Sequence, residues 1–139
     1  MALDWEYNKE IFTEDMIGDN YGFVYILTNL SNNKKYIGKK FFYSSKTKQV
    51  KGKKKKIKVQ SDWKSYYGSN ENLKNDVKEL GKDIFTREIL HLCTSKGECN
   101  YMEAREHFIQ DVLRKPNQFY NHWIMVRVHR NHLKILLDT

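Results

Sequence analysis

Lysine is the residue type whose concentration in this chain most directly indicates a chemistry. Residues 39–58 include ten lysines and no acidic residue, whereas the whole chain of 139 residues has a net charge of +8. The rest of the chain is therefore close to neutral. Such a run repels itself unless a polyanion binds it, and nucleic acid is the usual polyanion. A solvated lysine loop without a ligand is the alternative interpretation.

Aromatic residues follow the lysines directly, at Trp63, Tyr66 and Tyr67. Aromatic rings that alternate with basic residues can stack on splayed bases. For Trp63, a place in the core beneath the lysine segment is the alternative. The sequence therefore predicts a set of nucleic-acid contacts in and just after the basic run: Lys46, Lys51, Lys53, Lys54, Lys55, Lys56, Lys58, Trp63 and Lys64.

The elements that must position these residues follow from local patterns. Residues 23–28 are β-branched and aromatic, a turn-forming segment follows, and residues 34–38 are the returning strand of a hairpin. Apolar spacing predicts a helix over 70–81 and a second over 98–113, with a buried strand at 85–92 between them. The order β-β-α-β-α predicts an α+β fold, a small antiparallel sheet flanked by helices. The lysine segment is expected to be a long loop or a ribbon.

Composition divides the chain into three parts. Residues 1–20 form an acidic lead-in, which is either a flexible tail or a segment folded over basic surface. Residues 21–123 form the central domain, with the lysine-rich insertion at 39–60. Residues 124–139 form a C-terminal appendage that could add an edge strand and a short final element.

The sequence also excludes several classes of protein. No apolar run approaches the roughly 18–20 residues of a membrane span, and the acidic start is not a signal peptide. The two cysteines, Cys93 and Cys99, do not form a disulfide framework and suit a reducing compartment. We therefore expect a cytoplasmic protein without a membrane partner.

Two tyrosine motifs resemble the paired signature of the GIY-YIG nuclease family. Gly-Phe-Val-Tyr at 22–25 matches the first motif loosely, and Lys-Tyr-Ile-Gly at 35–38 contains the second letter for letter. Downstream, the second helix carries Glu103 and Glu106 where the family has a glutamate. Asn121 follows Phe-Tyr, in the place of the family's asparagine. The segments 63–69 and 85–90 are similar to phage-encoded freestanding and homing-type members.

This resemblance implies a DNA endonuclease that hydrolyses phosphodiester bonds with one Mg²⁺ or Mn²⁺ ion, active in the host cytoplasm if phage-encoded. By analogy with the family, Tyr25 is expected to be the base that activates water, Tyr36 to support it, and Asn121 to anchor the site. A phenol is a poor base at its ordinary pKa of about 10. Nearby lysines or metal-bound water are therefore expected to lower that pKa.

Helical geometry offers a choice between the two glutamates for the metal ligand. At about 100° per residue, Glu106 falls at the margin of the apolar face, whereas Glu103 points to solvent. A metal ligand must project towards the sheet, so Glu106 is the expected ligand and Glu103 the runner-up. Arg105 falls within the apolar arc, where a buried guanidinium needs a partner.

One feature of the family pattern is missing. The family has an arginine shortly after the second motif, but the first arginine after Gly38 is Arg87. Lys39 and Lys40 are expected to supply positive charge to the phosphate instead, with Lys64 in reserve. Lysine provides a point charge rather than a bidentate fork.

Two alternatives to the homing-type enzyme remain, and the missing arginine supports the first of them. One is a catalytically inactive nucleic-acid-binding module on the same scaffold. The other is a nuclease selective for branched DNA, or one of restriction type. Since few residues follow Asn121, specificity is expected to come from the lysine segment, a homodimer or a partner protein, or to be low. The chain could also be the catalytic piece of a longer protein.

Overall fold

The computed structural model describes residues 3–127 and 130–133, and this part of the chain has the predicted α+β architecture. Two helices and seven strands are present in these ranges. Short 3-10 turns connect several of them, including Trp63–Ser65 and Arg130–Leu133. In chain order the elements are β1 (Trp5–Tyr7), β2 (Glu10–Ile11), β3 (Gly22–Asn29), β4 (Lys35–Phe41), β5 (Tyr43–Val50), β6 (Lys53–Gln60), α1 (Glu71–Leu80), β7 (Phe85–Cys93) and α2 (Lys96–Ile109).

Five of the strands form one mixed sheet in the order β2-β1-β7-β3-β4. β3 pairs antiparallel with both β4 and β7, whereas β1 runs parallel to β7. The predicted hairpin of β3 and β4 is confirmed, and β4 lies at one edge of the sheet. β1 adds one parallel pair to the predicted small antiparallel sheet, which makes the sheet mixed.

Residues 5–17 of the predicted acidic lead-in are part of the folded domain. β1 extends the sheet, and the side chains of Trp5, Phe12 and Ile17 are buried. These three apolar residues are spaced among the acidic ones, so the segment presents a buried side despite its charge. Residues 5–17 therefore belong to the same core as the domain that follows them.

The sheet separates two hydrophobic clusters. Alternate residues of β3 point to opposite faces, so that Phe23, Tyr25 and Leu27 pack with Trp63 and other aromatic residues near α1. On the other face, Val24 and Ile26 pack against β4, β7 and α2. β3 is thus the central strand of the core, and both helices rest on residues that it presents.

The lysine-rich segment is a two-stranded ribbon rather than a loop. β5 and β6 pair antiparallel in a sheet of their own, with Thr47 opposite Lys56. The turn between them places Lys51 at φ 51° and Gly52 at φ 77°, as a two-residue hairpin turn of type I′ requires. Lys39 and Lys40 belong to β4, so only the part of the insertion beyond them forms the ribbon.

Local capping defines the ends of both helices. The side chain of Asn70 accepts a hydrogen bond from the amide of Leu73 at the start of α1, and Gly81 ends that helix at φ 94°, as predicted. Ser95 caps α2 in the same way. α2 ends earlier than predicted, at Ile109, and a 3-10 turn at Val112–Arg114 follows it.

The C-terminal appendage adds no strand in residues 124–127, contrary to the expected edge strand. The predicted final element at 132–137 lies mostly outside the described residues. A 3-10 turn over Arg130–Leu133 packs beside α2, where a methyl group on Gly97 would lie 2.6 Å from the His132 side chain. No helix in the described ranges is long and apolar enough to cross a membrane.

Candidate active site

A cavity of about 610 Å³ lies beside the edge strand β4. Five residues singled out by the sequence line it: Tyr25, Tyr36, Lys39, Glu103 and Asn121. They come from β3, β4, α2 and the segment after α2. The fold therefore brings together residues that are far apart in the sequence.

The two motif tyrosines are diagonal neighbours on one face of the hairpin. Tyr25 lies opposite Gly38 in the register of β3 and β4, and the rings of Tyr25 and Tyr36 are 6.2 Å apart. A methyl group at Gly38 would lie 2.5 Å from the Tyr25 hydroxyl oxygen. The glycine of the second motif is therefore needed so that the phenol of Tyr25 can lie across β4 and reach the cavity.

Both phenols resist loss of their protons. Burial raises the pKa of Tyr25 well above its ordinary value of 10.0, and the neighbouring Tyr66 and Tyr36 add to this effect. Burial likewise raises the pKa of Tyr36, although a hydrogen bond with Ser69 opposes it. The expectation that nearby lysines lower these pKa values is wrong, because desolvation by burial raises the pKa of both phenols.

Lys39 and Glu103 enter the cavity as an ion pair. Lys39 lies on the other face of β4 from the tyrosines, and its Nζ is 3.3 Å from Glu103 Oε1. Their side chains are only 25% and 15% exposed. The prediction that Glu103 points to solvent is therefore wrong.

Glu106, the expected metal ligand, lies outside the cavity. Its carboxylate accepts hydrogen bonds from His91 and Gln110, both at 2.9 Å. Burial alone would raise the pKa of Glu106, but these hydrogen bonds and the positive charges of His91 and Arg105 hold it below its usual 4.5. The structure thus favours the runner-up, Glu103, over Glu106.

Apolar periodicity indicates the wrong inner side of α2, because the buried face of this helix is not its most apolar face. α2 buries Cys99, Ala104 and His107, whereas Phe108 and Ile109 are 59% and 61% exposed. A helix that borders a polar cavity turns polar side chains inwards, so apolar periodicity misplaces its inner face. For the same reason Arg105, predicted to be buried, is exposed.

Asn121 anchors the edge of β4 through the backbone of Ile37. Its side-chain oxygen accepts from the Ile37 amide at 3.0 Å, and its Nδ2 donates to the Ile37 carbonyl at 2.8 Å. The preceding residues pair with Lys35 through backbone hydrogen bonds. The Asn121 side chain thus extends along β4 the row of hydrogen bonds that the backbone of residues 118–120 forms with Lys35.

His107 is a site residue that the sequence analysis did not select. Its Nε2 lies 2.9 Å from the Ile37 carbonyl oxygen, where it donates a hydrogen bond, and its ring is 5% exposed. The signal that could have found it is its spacing of four residues from Glu103, which places both on one side of a helix. His107 and Asn121 therefore hold the same peptide of β4.

With this geometry in place, the chain can be compared with known families. The family described as "Putative endonuclease segE, GIY-YIG domain" matches residues 5–124. The chain belongs to the GIY-YIG nuclease family. Its members are endonucleases, so the chain is an enzyme of the nuclease class, as the two motifs predicted. Neither the comparison with curated proteins nor that with solved structures found a match.

Among the residues expected to replace the GIY-YIG arginine, only Lys39 lines the cavity. Lys40 pairs with Asp62 at 2.6 Å, and its Nζ lies 4.0 Å from the centre of the Tyr66 ring. Arg87 is 4% exposed and donates to the backbone carbonyls of Leu3, Lys64 and Tyr66. Arg87 therefore supports the core.

The predicted nucleic-acid contacts fall into two groups. The seven ribbon lysines predicted as contacts are exposed, as an interface to a polyanion requires: Lys46, Lys51, Lys53, Lys54, Lys55, Lys56 and Lys58. Trp63 is 2% exposed, and its ring packs against Phe12 and Phe42, so the prediction that it contacts nucleic acid is wrong. Lys64 is half-exposed and pairs with Glu14 at 3.0 Å.

A divalent ion in the cavity would be held by few protein ligands. Within residues 3–127 and 130–133, no three His, Cys, Asp or Glu side chains converge as a metal cage. Magnesium commonly binds to one or two carboxylates, with waters and substrate phosphates completing its octahedral shell. Glu103, with its carboxylate in the cavity, meets that description, and Glu106 does not.

Proposed function

We propose that this GIY-YIG nuclease is a divalent-metal-dependent DNA endonuclease of the phage freestanding or homing type. The observation that carries the proposal is the convergence of Tyr25, Tyr36, Lys39 and Glu103 at the cavity beside β4. Two phenols, an ammonium and a carboxylate are the groups that phosphodiester hydrolysis with one metal ion needs. The host cytoplasm is the proposed place of action.

Glu103 is the residue we propose as ligand for Mg²⁺ or Mn²⁺. When bound, such an ion supplies positive charge where negative charge develops on the phosphate. Lys39 supplies a second positive charge from the same wall of the cavity. The metal ion and the Lys39 ammonium together take the place of the arginine that the family carries.

Tyr25 and Tyr36 act as hydrogen-bond donors and positioning groups. Since burial raises the pKa of both phenols, they keep their protons at neutral pH. A protonated phenol donates a hydrogen bond to a phosphate oxygen or orients the attacking water. This replaces the base role that the sequence suggested for Tyr25.

The ribbon supplies affinity for the DNA backbone. B-DNA's major groove admits a two-stranded β-ribbon, and lysine ammonium groups bind phosphates without reading sequence. The ribbon extends from β4 by way of Phe42, which is fully buried, so one end of it is fixed to the domain. Sequence specificity is expected from other groups of the ribbon, from a homodimer or from a partner protein, or is low.

A binding module without catalysis is the second candidate. The observation that favours it is the Lys39–Glu103 ion pair. In this pair Glu103 neutralises the lysine that is expected to replace the family's arginine. A structure-selective or restriction-type enzyme shares the proposed mechanism and differs only in substrate.

Plasmid nicking with Mg²⁺ separates these candidates. We expect Glu103→Gln to lower single-turnover cleavage by roughly 10²–10³-fold, as for the loss of one preorganised electrostatic group. Glu106→Gln, three residues along the same helix and outside the cavity, is the matched control and should cleave like the wild type. Tyr25→Phe should lose activity without losing DNA binding.

Three outcomes would count against parts of this proposal. Equal DNA binding with no nicking by any form, wild type included, favours the binding module. A loss of cleavage in Glu106→Gln but not in Glu103→Gln would identify Glu106 as the metal ligand. Faster cutting of branched than of linear DNA would identify a structure-selective enzyme.

A further inference from the structure

Part of the cavity lining is apolar, and phosphodiester hydrolysis does not need these apolar side chains. Trp123 and Met125 line the cavity, and their side chains are 59% and 58% exposed. Lys39 and Glu103, which line the same cavity, already supply the charged groups proposed for the phosphate and its metal ion. A cavity of about 610 Å³ is also larger than one phosphate requires and is within the size range of sites for small organic ligands.

The backbone that carries Trp123 is anchored close to the site. Asn121, two residues earlier, is buried and bonded to Ile37 in β4. His122, directly before the tryptophan, has its Nδ1 3.2 Å from the side-chain amide of Asn70. Trp123 therefore follows two residues tied to β4 and to the start of α1.

The exposure of Trp123 contrasts with that of the other two tryptophans. Trp5 and Trp63 are each 2% exposed, and the indole of Trp5 donates a hydrogen bond to the Trp63 carbonyl. An exposed indole beside a cavity that holds phosphate-binding groups is a platform on which a base can stack. Stacking on aromatic side chains is how proteins hold unpaired bases without reading their sequence.

We propose that Trp123 stacks on a nucleobase adjacent to the scissile phosphate, which has left its place in the duplex stack. The inference rests on the proposed nuclease function and adds a substrate-contacting residue to it. The occupant is a base because Lys39 and a metal ion on Glu103 are the groups proposed to bind the phosphate in the same cavity, which leaves the linked base within reach of the indole. Met125 adds an apolar side chain to the lining of the same cavity.

This contact makes unstacking part of substrate selection. The base leaves the stack most readily at pyrimidine–purine steps and at mismatches, where the energetic cost is lowest. The enzyme should therefore cut such steps faster than G·C-rich steps, even though no side chain in this proposal reads a base edge.

Tryptophan fluorescence tests the contact independently of cleavage. Because Trp5 and Trp63 are buried, Trp123 is the exposed tryptophan of the three in the chain. The wild type is titrated with a short DNA duplex in EDTA, which prevents metal-dependent cutting. We expect emission from Trp123 to be quenched at saturation, and Trp123→Phe to abolish that change.

Cleavage with Mg²⁺ provides the second readout. Trp123→Ala should slow cutting of a paired duplex by roughly tenfold, the loss expected for one stacked base. Trp123→Phe should retain most of the rate, and a mismatch at the cut step should restore much of the rate of the alanine variant. Phe108→Ala, an exposed aromatic on α2 outside this cavity, is the matched control and should cleave like the wild type.

The outcomes distinguish this inference from the proposed function. Unchanged tryptophan emission on DNA saturation, or equal cleavage by the wild type and both Trp123 variants, would overturn the stacking contact while leaving the nuclease intact. Quenching by DNA without cleavage by any form would overturn the nuclease proposal while supporting the stacking contact.

Discussion

Lysine occurs in two neighbouring regions, the edge strand β4 and the ribbon of β5 and β6, and its surroundings differ between them. In β4, Lys39 is 25% exposed and paired with Glu103 at a defined distance. In the ribbon, the lysines are exposed, and Lys58 alone among them lies over a ring, that of Tyr43, in the described part of the chain. In β4 one lysine is thus held in a defined position by an ion pair, whereas the ribbon carries many exposed lysines.

The edges of the two regions differ in the same way. The open edge of β4 is covered by residues 118–121, with backbone hydrogen bonds to Lys35 and the Asn121 amide on Ile37. The ribbon pairs only with itself, and its lysines discourage further strand pairing. A site for chemistry needs one geometry, whereas a surface for a polyanion needs only charge in sufficient number. A single substitution in β4 should therefore change activity strongly. In the ribbon, the effect on DNA binding should grow with the number of lysines replaced.

The largest effect should come from the single lysine of the cavity. Lys39→Ala removes the positive charge beside Glu103, and we expect cleavage to fall by roughly 10²-fold with little change in DNA affinity. Lys40→Ala, on the other face of the same strand, is the matched control and should retain activity. Single-turnover kinetics with saturating DNA measure both, and equal losses would remove the distinction between the two faces.

The next effect concerns the cover of β4. Asn121→Ala leaves the amide of Ile37 without its buried acceptor, although the carbonyl keeps its hydrogen bond from His107, and this should cost about 2 kcal/mol of unfolding free energy. Asn72→Ala, an exposed asparagine on the cavity rim, should cost much less. Urea denaturation measures the difference. Similar midpoints for the two variants would show that the edge is held by other contacts.

In the ribbon, removing several lysines should change the salt dependence of binding. Replacing residues 53–56 with serine should reduce the slope of log K against log salt by about 0.9 for each phosphate that a lysine no longer neutralises. The double variant Lys74→Ser and Lys78→Ser, on exposed positions of α1, should leave the slope unchanged. An unaltered slope in the ribbon variant would mean that this run does not bind phosphate.

The smallest effect should be seen on acid stability, at Glu106. Its pKa is below 4.5 in the folded chain, so its contribution is present above the unfolded value and is lost as the pH falls through the folded one. Glu106→Gln should therefore be less stable than the wild type at pH 7, and the gap should narrow below pH 4.5. A gap that does not depend on pH would contradict this.

Some parts of the site could be predicted because they depend on local sequence. The hairpin of β3 and β4 follows from two β-branched runs around a turn, and this places Tyr25 diagonally from Tyr36. Asn70 and Gly81 marked the ends of α1 for equally local reasons. The family motifs identified the nuclease class for the same reason, since they lie within these elements.

Other parts could not be predicted, because they depend on how elements rotate and pack. The choice between Glu103 and Glu106 required the rotation of α2 about its axis, which is set by the cavity and by β4. The protonation of Tyr25 required its burial, which no count of nearby lysines reveals. The ribbon lacks the apolar alternation of a half-buried strand, so its pairing could not be distinguished from a loop.

The sequence by itself determined the family, the motif hairpin and the concentration of charge, because each depends on residues close together in the chain. Only the tertiary structure decided which carboxylate, which lysine and which tryptophan face the cavity. Those choices depend on contacts between residues up to a hundred positions apart, and such contacts exist only once β4, α2 and the segment after α2 have packed together.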